Sequence, residues 1–514
     1  MLDTSKHTDV ATAPAQENLP AGRRLFLIHD FSQLFEFPEG HERRLSKHLR
    51  VCMLGARTPE SGQLKTTQAS AAQLIKTIRT YQPFGPYHLC GWGLTAALVY
   101  EMACQLIGQD ESVQFLGLVS LSHGRSLNTF FEARSRESEA PVVDELNGFD
   151  AVSTEYLPRP LPIPIHLFEA GDGPAESRAP EQRGLDWDSL IDRTNLRQVL
   201  IPVFRHELMT PEGLDKLGQV IAGILFDQLH PLEFPELTYR PHVPLQRGVT
   251  GRTPVFCLPG AGDSVTRMVQ FASALGPEWP VHGLQPRGLD GQLVPHTTIE
   301  AAAEKYLQAI EKIHPKGDIH LVGHSFGGWA ALEIAIRMTS AGRGISSLTL
   351  IDTDAAGDSE ADGQQYTELE ALLEYAKLVE MSSDKSIHVP KEALLHRTHG
   401  TRLEVLHEAM VRARILPRTT HPSLLRGPTS VFSSALRTSY VPRGFYSGKA
   451  RLVLLPKTDT SEPQNKLRQT RTAAAWRAWV PNLEVWEGPG NHMTVLQPPN
   501  VAQLAAWWIN HETN

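Results

Sequence analysis

A repeated order of strand and helix patterns limits the folds open to this chain. The order occurs twice, about half a chain apart. The first copy starts with the apolar run Arg24–His29 and the second with Pro254–Pro259. In each copy a helical stretch, an apolar strand, a tight turn, a helix of small residues and another apolar strand follow. Strands that alternate with helices predict a mostly parallel sheet with helices on both faces.

The matching elements follow each other in the same order in both copies. In the first copy they are Ala71–Tyr81, Tyr87–Gly93, Thr95–Leu106 and Phe115–Leu121. In the second copy they are Ala301–Ile313, Ile319–Ser325, Gly328–Met338 and Ser347–Asp352. A chain of 514 residues is long enough for two such domains. We therefore predict an α/β protein with a disordered N-terminus at 1–20, a first domain at 21–229, a Pro-rich linker at 230–252 and a second domain at 253–514.

Composition and charge narrow the classes of function. The net charge is -8 and no run of Lys and Arg is found, so we predict that nucleic acid is not a partner. The polar stretch 1–20 has no apolar core, and no stretch of 18 apolar residues occurs, which predicts neither a signal peptide nor a membrane span and favours a cytoplasmic location. None of the four cysteines forms a Cys-x-x-Cys pair, so no metal site is predicted.

The second copy contains a motif that carries chemistry, Gly323-His324-Ser325-Phe326-Gly327. Gly-x-Ser-x-Gly between a strand and a helix is the nucleophile elbow of α/β-hydrolases, and Ile319–Val322 and Gly328–Met338 supply that strand and helix. The glycines suit a turn whose flanking positions come close together. The motif therefore predicts that Ser325 is a nucleophile and that both copies have the α/β-hydrolase fold.

The partners of this serine are expected in the order acid, then histidine. Asp352 closes the apolar strand of the second copy, at the edge of the sheet where the nucleophile also emerges. Asp459, after the strand Arg451–Leu455, is the alternative acid, because many α/β-hydrolases carry their acid there. His492 lies in a Gly-rich loop ahead of the last helix. We favour Ser325, Asp352 and His492 as the catalytic triad.

The chemistry of a triad predicts the remaining roles. His492 removes the proton of Ser325, and Asp352 orients the imidazole ring and stabilises its charged form. The oxyanion needs two backbone donors, for which we select the amides of Phe326 and Ala261. Ala261 lies in the turn Pro259–Gly262, whose glycines allow the backbone to approach a ligand.

The second half of the chain resembles the thioesterase domains of nonribosomal peptide and polyketide synthases. The residues that carry this resemblance are Pro254–Gly262, Gly323–Ala331 and Gly490–Leu496, preceded by the leader Val243–Gly248. Asp352 follows Ser325 by 27 residues, which matches the position of the acid in that family.

The resemblance implies an acyl or peptidyl chain that arrives as a thioester on a phosphopantetheinyl arm and is loaded onto Ser325. Water, or an internal amine or hydroxyl, then releases it, with no cofactor bound by the enzyme itself. A Leu-Gly-Gly-x-Ser carrier motif is not found in the sequence, which predicts an acyl or peptidyl carrier protein acting in trans. An acyltransferase with the same triad is the alternative. A non-catalytic scaffold and a lipase-like esterase are disfavoured.

Residues 357–442 interrupt the pattern of the second copy. Helical periodicity occurs there in pieces, as in Leu369–Leu378. We interpret this insertion as a lid over an acyl channel, which would exclude water and select the acceptor.

The first copy has the pattern of the fold without the chemistry. Gly93 occupies the nucleophile position, and the residue 27 positions further on is Ser120 instead of an acid. Only His206, in the terminal loop, is of the type that a triad needs. Without a nucleophile no covalent route exists. We therefore predict a non-catalytic first domain that docks a partner or braces the second domain.

Overall fold

The chain folds into two compact units in a computed structural model. They comprise Met1–Ile107 with Glu111–Glu236, and Leu237–Asn514 with Gly108–Asp110. The structure describes residues 24–29, 45, 49–55, 66–93, 95–119, 161–170, 195–203, 208, 210–227, 239–357, 366–394, 399–457 and 460–513. The predicted N-terminal segment 1–20 lies outside these residues.

The first unit contains a six-stranded parallel sheet in the order β2-β1-β3-β4-β5-β6. Its strands are β1 Arg24–His29, β2 Arg50–Gly55, β3 Tyr87–Trp92, β4 Val113–Val119, β5 Ile165–Ala170 and β6 Leu196–Ile201. The helices among its described residues include α1 Thr67–Tyr81, α2 Thr95–Gly108 and α3 Pro211–Asp227.

The second unit contains a seven-stranded sheet in the order β13-β12-β11-β10-β8-β9-β7. Its strands are β7 His242–Gln246, β8 Val255–Leu258, β9 Val281–Leu284, β10 Ile319–His324, β11 Ile345–Ile351, β12 Ala450–Leu454 and β13 Leu483–Glu487. All pairs are parallel except β7 with β9. Because β7 belongs to this sheet, the stretch 230–252 that we interpreted as a linker includes an edge strand.

Helices cover both faces of the second sheet, because side chains alternate along each buried strand. On β8, Phe256 and Leu258 belong to one core cluster, whereas Val255 and Cys257 belong to another. The first cluster is covered by α5 Ile299–Ile313, α6 Gly327–Ser340 and α10 Glu462–Arg477. The second is covered by α4 Val269–Ala274 and α11 Asn500–Thr513. The predicted α/β fold class is confirmed.

The two copies share the residue that caps the N-terminus of a matching helix. Thr66 precedes α1 and Thr298 precedes α5, and each side chain accepts a hydrogen bond from the backbone N–H three residues later. Their backbone angles are φ -138°, ψ 150° and φ -137°, ψ 150°. An oxygen at this position satisfies one of the N–H groups that a helix start leaves free. The repeat read in the sequence therefore extends to matching helix starts.

The insertion of the second unit forms a helical cluster of its own. It contains α7 Glu368–Ser383, α8 His399–Arg412 and α9 Arg426–Arg437. Their apolar sides pack together in one buried cluster that includes Leu372, Leu406 and Phe432. Ala261, in the turn after β8, packs against this cluster. These insertion helices therefore lie against the carboxyl edge of the sheet, where the candidate site is located.

Candidate active site

Ser325 lies on a sharp turn between β10 and α6. Its φ is +52°, a left-handed conformation that a non-glycine residue rarely adopts. Its amide donates to the carbonyl of Ile351 at 2.8 Å, and its own carbonyl accepts from the amide of Gly328 at 2.9 Å. The turn thus holds Ser325 at the carboxyl edge of the sheet, at the N-terminus of α6, where the helix dipole favours negative charge.

The glycines of the elbow are required by close packing. A Cβ on Gly323 would lie 2.5 Å from the Cα of Gly328. One on Gly327 would lie 2.4 Å from the carbonyl oxygen of Pro259. One on Gly328 would lie 2.1 Å from the hydroxyl of Thr353. The elbow is therefore pressed against both the turn after β8 and the segment that follows β11.

Asp352 and His492 are in direct contact although 140 residues separate them. Nδ1 of His492 lies 2.7 Å from Oδ2 of Asp352, and the other carboxylate oxygen accepts from the amide of Leu455 at 3.3 Å. Asp352 directly follows β11 and has a φ of +45°. Its side chain is 11% exposed, against 36% for His492. The amide of Leu455 thus holds the buried carboxylate, while the imidazole is partly exposed to solvent.

Three indole N–H groups hold the chain that leaves Asp352. Trp476, Trp329 and Trp479 donate to the carbonyls of residues 353, 354 and 356 at 2.9, 2.8 and 2.8 Å respectively. These carbonyls belong to no strand, so the indoles supply the partners that a sheet would otherwise give. The arrangement keeps the segment between the acid and the insertion in one conformation.

The loop of His492 is held by two side chains that the sequence analysis did not single out. Nε2 of His324 lies 3.2 Å from the carbonyl oxygen of His492, and the two rings are 4.9 Å apart. Arg267 donates to the carbonyl of Met493 at 2.9 Å. Burial, followed by the positive charges of His492 and Arg267, holds the pKa of His324 well below its ordinary value. His324 is therefore neutral, with its proton on Nε2, and its place inside the elbow motif was the only signal of this role.

The turn predicted to supply an oxyanion donor lies beside the serine. A Cβ on Gly260 would be 3.3 Å from the Cβ of Ser325. Gly262, with a φ of +72°, packs under Phe432 of α9. A cavity of about 40 Å³ is lined by Gly260, Ala261 and Phe326 among others. It has room for a few water molecules and is far smaller than the pockets of about 300–1,000 Å³ that hold organic ligands.

The first unit repeats the elbow with glycine in place of serine. Gly93 has a φ of +63°, and its amide donates to the carbonyl of Val119 at 2.9 Å. Ser325 makes the same bond to the last residue of β11. Gly93 therefore occupies the backbone position that Ser325 has in the second unit. Ser120 and His206, and Asp459 in the second unit, lie outside the described residues.

Two properties of the described residues bear on metal sites and on membrane spans. Within them, no group of three or more His, Cys, Asp or Glu is arranged to hold a metal ion. None of the helices in the described ranges is both long and apolar enough to cross a membrane.

Curated relatives of the chain are large synthases. Chondramide synthase of Chondromyces crocatus is 25% identical over 51% of this chain and 7% of that protein. The nonribosomal peptide synthetase btyA of Aspergillus terreus is 28% identical over 54% of this chain and 28% of that protein. The chain thus spans a small part of the length of these relatives.

Thioesterases are among the similar solved structures. The Vlm2 thioesterase domain aligns with a TM-score of 0.38 and 18% identity, over 52% of this chain and 97% of that chain. The type II thioesterase BorB from the borrelidin biosynthetic cluster aligns with a TM-score of 0.38 and 17% identity, over 53% and 97%.

The family model named thioesterase domain matches the chain in two stretches. The first covers residues 42–179 and the second covers residues 253–507. Together they span well over half of the chain, and each falls on one of the two copies. This chain therefore belongs to the thioesterase domain family, and its curated relatives are nonribosomal peptide and polyketide synthases.

Proposed function

We propose that the second unit is a serine thioesterase that releases or edits acyl or peptidyl chains carried on the phosphopantetheinyl arm of a carrier protein in trans. The observation that carries this proposal is the contact of 2.7 Å between His492 and Asp352. It occurs at the sheet edge where Ser325 is held on a left-handed turn. Membership of the thioesterase family supports the reaction class.

In the first half of the reaction, the hydroxyl oxygen of Ser325 attacks the thioester carbonyl while His492 takes the proton. Asp352 stabilises the resulting imidazolium across their hydrogen bond. The amides of Phe326 and Ala261 donate to the oxyanion. The C–S bond then breaks, the proton passes from His492 to the departing sulfur, and the acyl group remains on Ser325 as an ester.

In the second half, His492 takes a proton from water or from an amine or hydroxyl of the chain. This nucleophile attacks the acyl ester, and the proton returns to Ser325 when the ester bond breaks. The insertion helices act as a lid in this proposal, since α9 lies over the turn that carries Ala261. The first unit is non-catalytic and docks the carrier or braces the second unit, which is supported by Gly93 at its elbow.

Two measurements test this proposal together. A fluorophosphonate probe should label the chain once, on Ser325, and Ser325→Ala should abolish both the label and turnover, a loss of about 10⁶-fold in rate. Ser340→Ala, at the exposed end of the same helix, is the matched control and should keep both. Incubation with a panel of acyl-loaded carrier proteins, read by mass spectrometry, should yield free or cyclised acid. Near-normal hydrolysis by Ser325→Ala would contradict the mechanism, and transfer of the acyl group to a second carrier would favour an acyltransferase.

A further inference from the structure

A carboxylate that the proposed mechanism does not use lies beside the reaction centre. Asp263 follows the turn that carries Ala261, and its amide donates to the carbonyl of Gly260 at 3.2 Å. A Cβ on Gly260 would lie 3.3 Å from the Cβ of Ser325 and 3.6 Å from Oδ2 of Asp263. The carboxylate and the serine are therefore separated by no more than the sum of these two distances. An ester bond and one or two carbons of an acyl chain span such a gap.

The surroundings of Asp263 place it between the reaction centre and the insertion helices. Its neighbour Gly262 packs under Phe432 of α9. Burial, and then the negative charge of Asp263, raise the pKa of Tyr375 on α7 to about 12. On the other side, a positive charge on His492 would lower the pKa of Asp263. A group bound to Ser325 and covered by the insertion would therefore contact this carboxylate.

The carboxylate of Asp263 is available to a ligand. It forms an ion pair with Arg267, four residues later, but Nε lies 3.9 Å from Oδ2, beyond the range of a hydrogen bond. Arg267 also donates to the carbonyl of Met493. The side chain of Asp263 keeps 32% of its surface exposed. Burial raises the pKa of Asp263, although Arg267 and His492 both act to lower it. A partly desolvated carboxylate of this kind gains from a cationic donor and disfavours a second anion.

We propose that Asp263 is a specificity-determining residue that binds a free amino group near the thioester carbonyl, so that the enzyme prefers aminoacyl or peptidyl chains with an ammonium group there. This inference rests on the proposed function of the second unit. It assigns to the site a class of acyl chain, which the triad alone does not, because a triad acts on any carbonyl presented to it. Acyl chains that carry a carboxylate at the same position are disfavoured by repulsion.

The test compares two small thioesters with the full chain as the enzyme. Alanyl N-acetylcysteamine thioester has a free amino group, and N-acetylalanyl N-acetylcysteamine thioester differs only in that the amino group is capped. We expect the specificity constant, kcat/KM, to be at least about tenfold higher for the free amine, the value of one hydrogen bond to a charged group. In Asp263→Asn this ratio should fall toward one, whereas Asp263→Glu should keep part of it.

The ratio of kcat/KM for the free and the capped alanyl thioester separates recognition of the amino group from structural damage. If Asp263 had only a structural role, its replacement would lower kcat/KM for both substrates equally. Asp384→Asn, at the exposed C-terminal cap of α7, is the matched control and should keep the wild-type ratio. A succinyl thioester adds the opposite charge, and Asp263→Asn should hydrolyse it faster than the wild type does. Equal rates on the two alanyl substrates in the wild type, or an unchanged ratio in Asp263→Asn, would overturn the inference. If the wild type hydrolyses no thioester at all, the proposed function itself fails.

Discussion

Two residues of the proposed triad share an uncommon backbone conformation. Ser325 and Asp352 directly follow neighbouring parallel strands, with φ values of +52° and +45°. Such a backbone conformation costs a non-glycine residue about 1–3 kcal/mol, and it persists only where the surrounding structure enforces it. Here the amide of Ser325 donates a hydrogen bond to the carbonyl of the last residue of β11. The amide of Asp352 donates one to the carbonyl of Val453 on β12. The end of each strand thus holds the residue proposed for the triad that follows the neighbouring strand.

Replacing Asp352 distinguishes between the two candidate acids. Asp352→Asn should lower kcat by about 10⁴-fold, because an amide can no longer stabilise the imidazolium or hold its tautomer. Asp459→Asn, the matched change at the alternative acid, should have a far smaller effect. Steady-state hydrolysis of an acyl thioester measures both variants. The reverse ranking would move the role of the acid to the later strand.

At the scale of elements, the site depends on how closely α6 approaches the turn after β8. A Cβ on Gly327 would lie 2.4 and 2.5 Å from the carbonyl oxygens of Pro259 and Leu258. These oxygens are backbone atoms and cannot rotate away as a side chain would. Close contacts between the start of α6 and the turn after β8 therefore help to set the distance between the two amides proposed as oxyanion donors.

Gly327→Ala should push this turn away from the elbow. We expect kcat to fall by about 10²–10³-fold, the loss associated with one oxyanion donor, together with a lower Tm. Gly444→Ala is the control, because a Cβ there meets only a side-chain carbon of Ile336, at an ordinary 3.5 Å. An unchanged kcat in Gly327→Ala would show that the turn supplies no donor.

At the scale of the whole molecule, buried histidines make stability depend on pH. Burial lowers the pKa of His282 and His320, each to about 4. His320 packs edge-on against Trp279 and Trp508, which belong to the core cluster covered by α4 and α11. Because the unfolded chain binds these protons near pH 6.5, the stabilising effect of neutral histidine is complete above that pH and is lost as the pH falls toward 4.

The free energy of unfolding should therefore decrease between pH 6.5 and 4. His320→Asn should reduce the slope by up to about 1.4 kcal/mol per pH unit, the contribution of one histidine. His388→Asn, on an exposed residue of the insertion, should leave the slope unchanged. Urea titrations at several pH values measure this slope. An equal slope in the wild type and His320→Asn would contradict the burial effect.

In our proposal the first unit either docks the carrier or braces the second unit, and a truncated chain distinguishes the two roles. A chain that begins at Leu237 retains the whole second unit apart from Gly108–Asp110. If the first unit docks the carrier, this chain should hydrolyse a small thioester at the normal rate. Its kcat/KM for a carrier-bound substrate should fall by at least about tenfold, equivalent to about 1.4 kcal/mol of docking energy. Equal losses on both substrates, with labelling by the probe retained, would support bracing instead.

Much of the fold could be predicted from the sequence because it depends on local patterns. The run Arg24–His29 is β1 with those bounds, and the glycines of the elbow identify a turn that no other residue fits. The edge strand β7 was missed, since its five residues contain Pro244 and show little periodicity. Its place in the sheet comes from pairing with β9, about forty residues later.

The two copies, the order of their strands and helices, and the residue types at each strand end can be predicted from the sequence alone, because they follow from short-range backbone chemistry. Which side chains meet across those ends depends on the tertiary fold. The contact of Asp352 with His492, the support of the His492 loop by His324 and Arg267, and the approach of Asp263 to Ser325 all join distant segments. Parallel strands deliver their ends to one edge, but the packing of the helices and turns around that edge sets each distance.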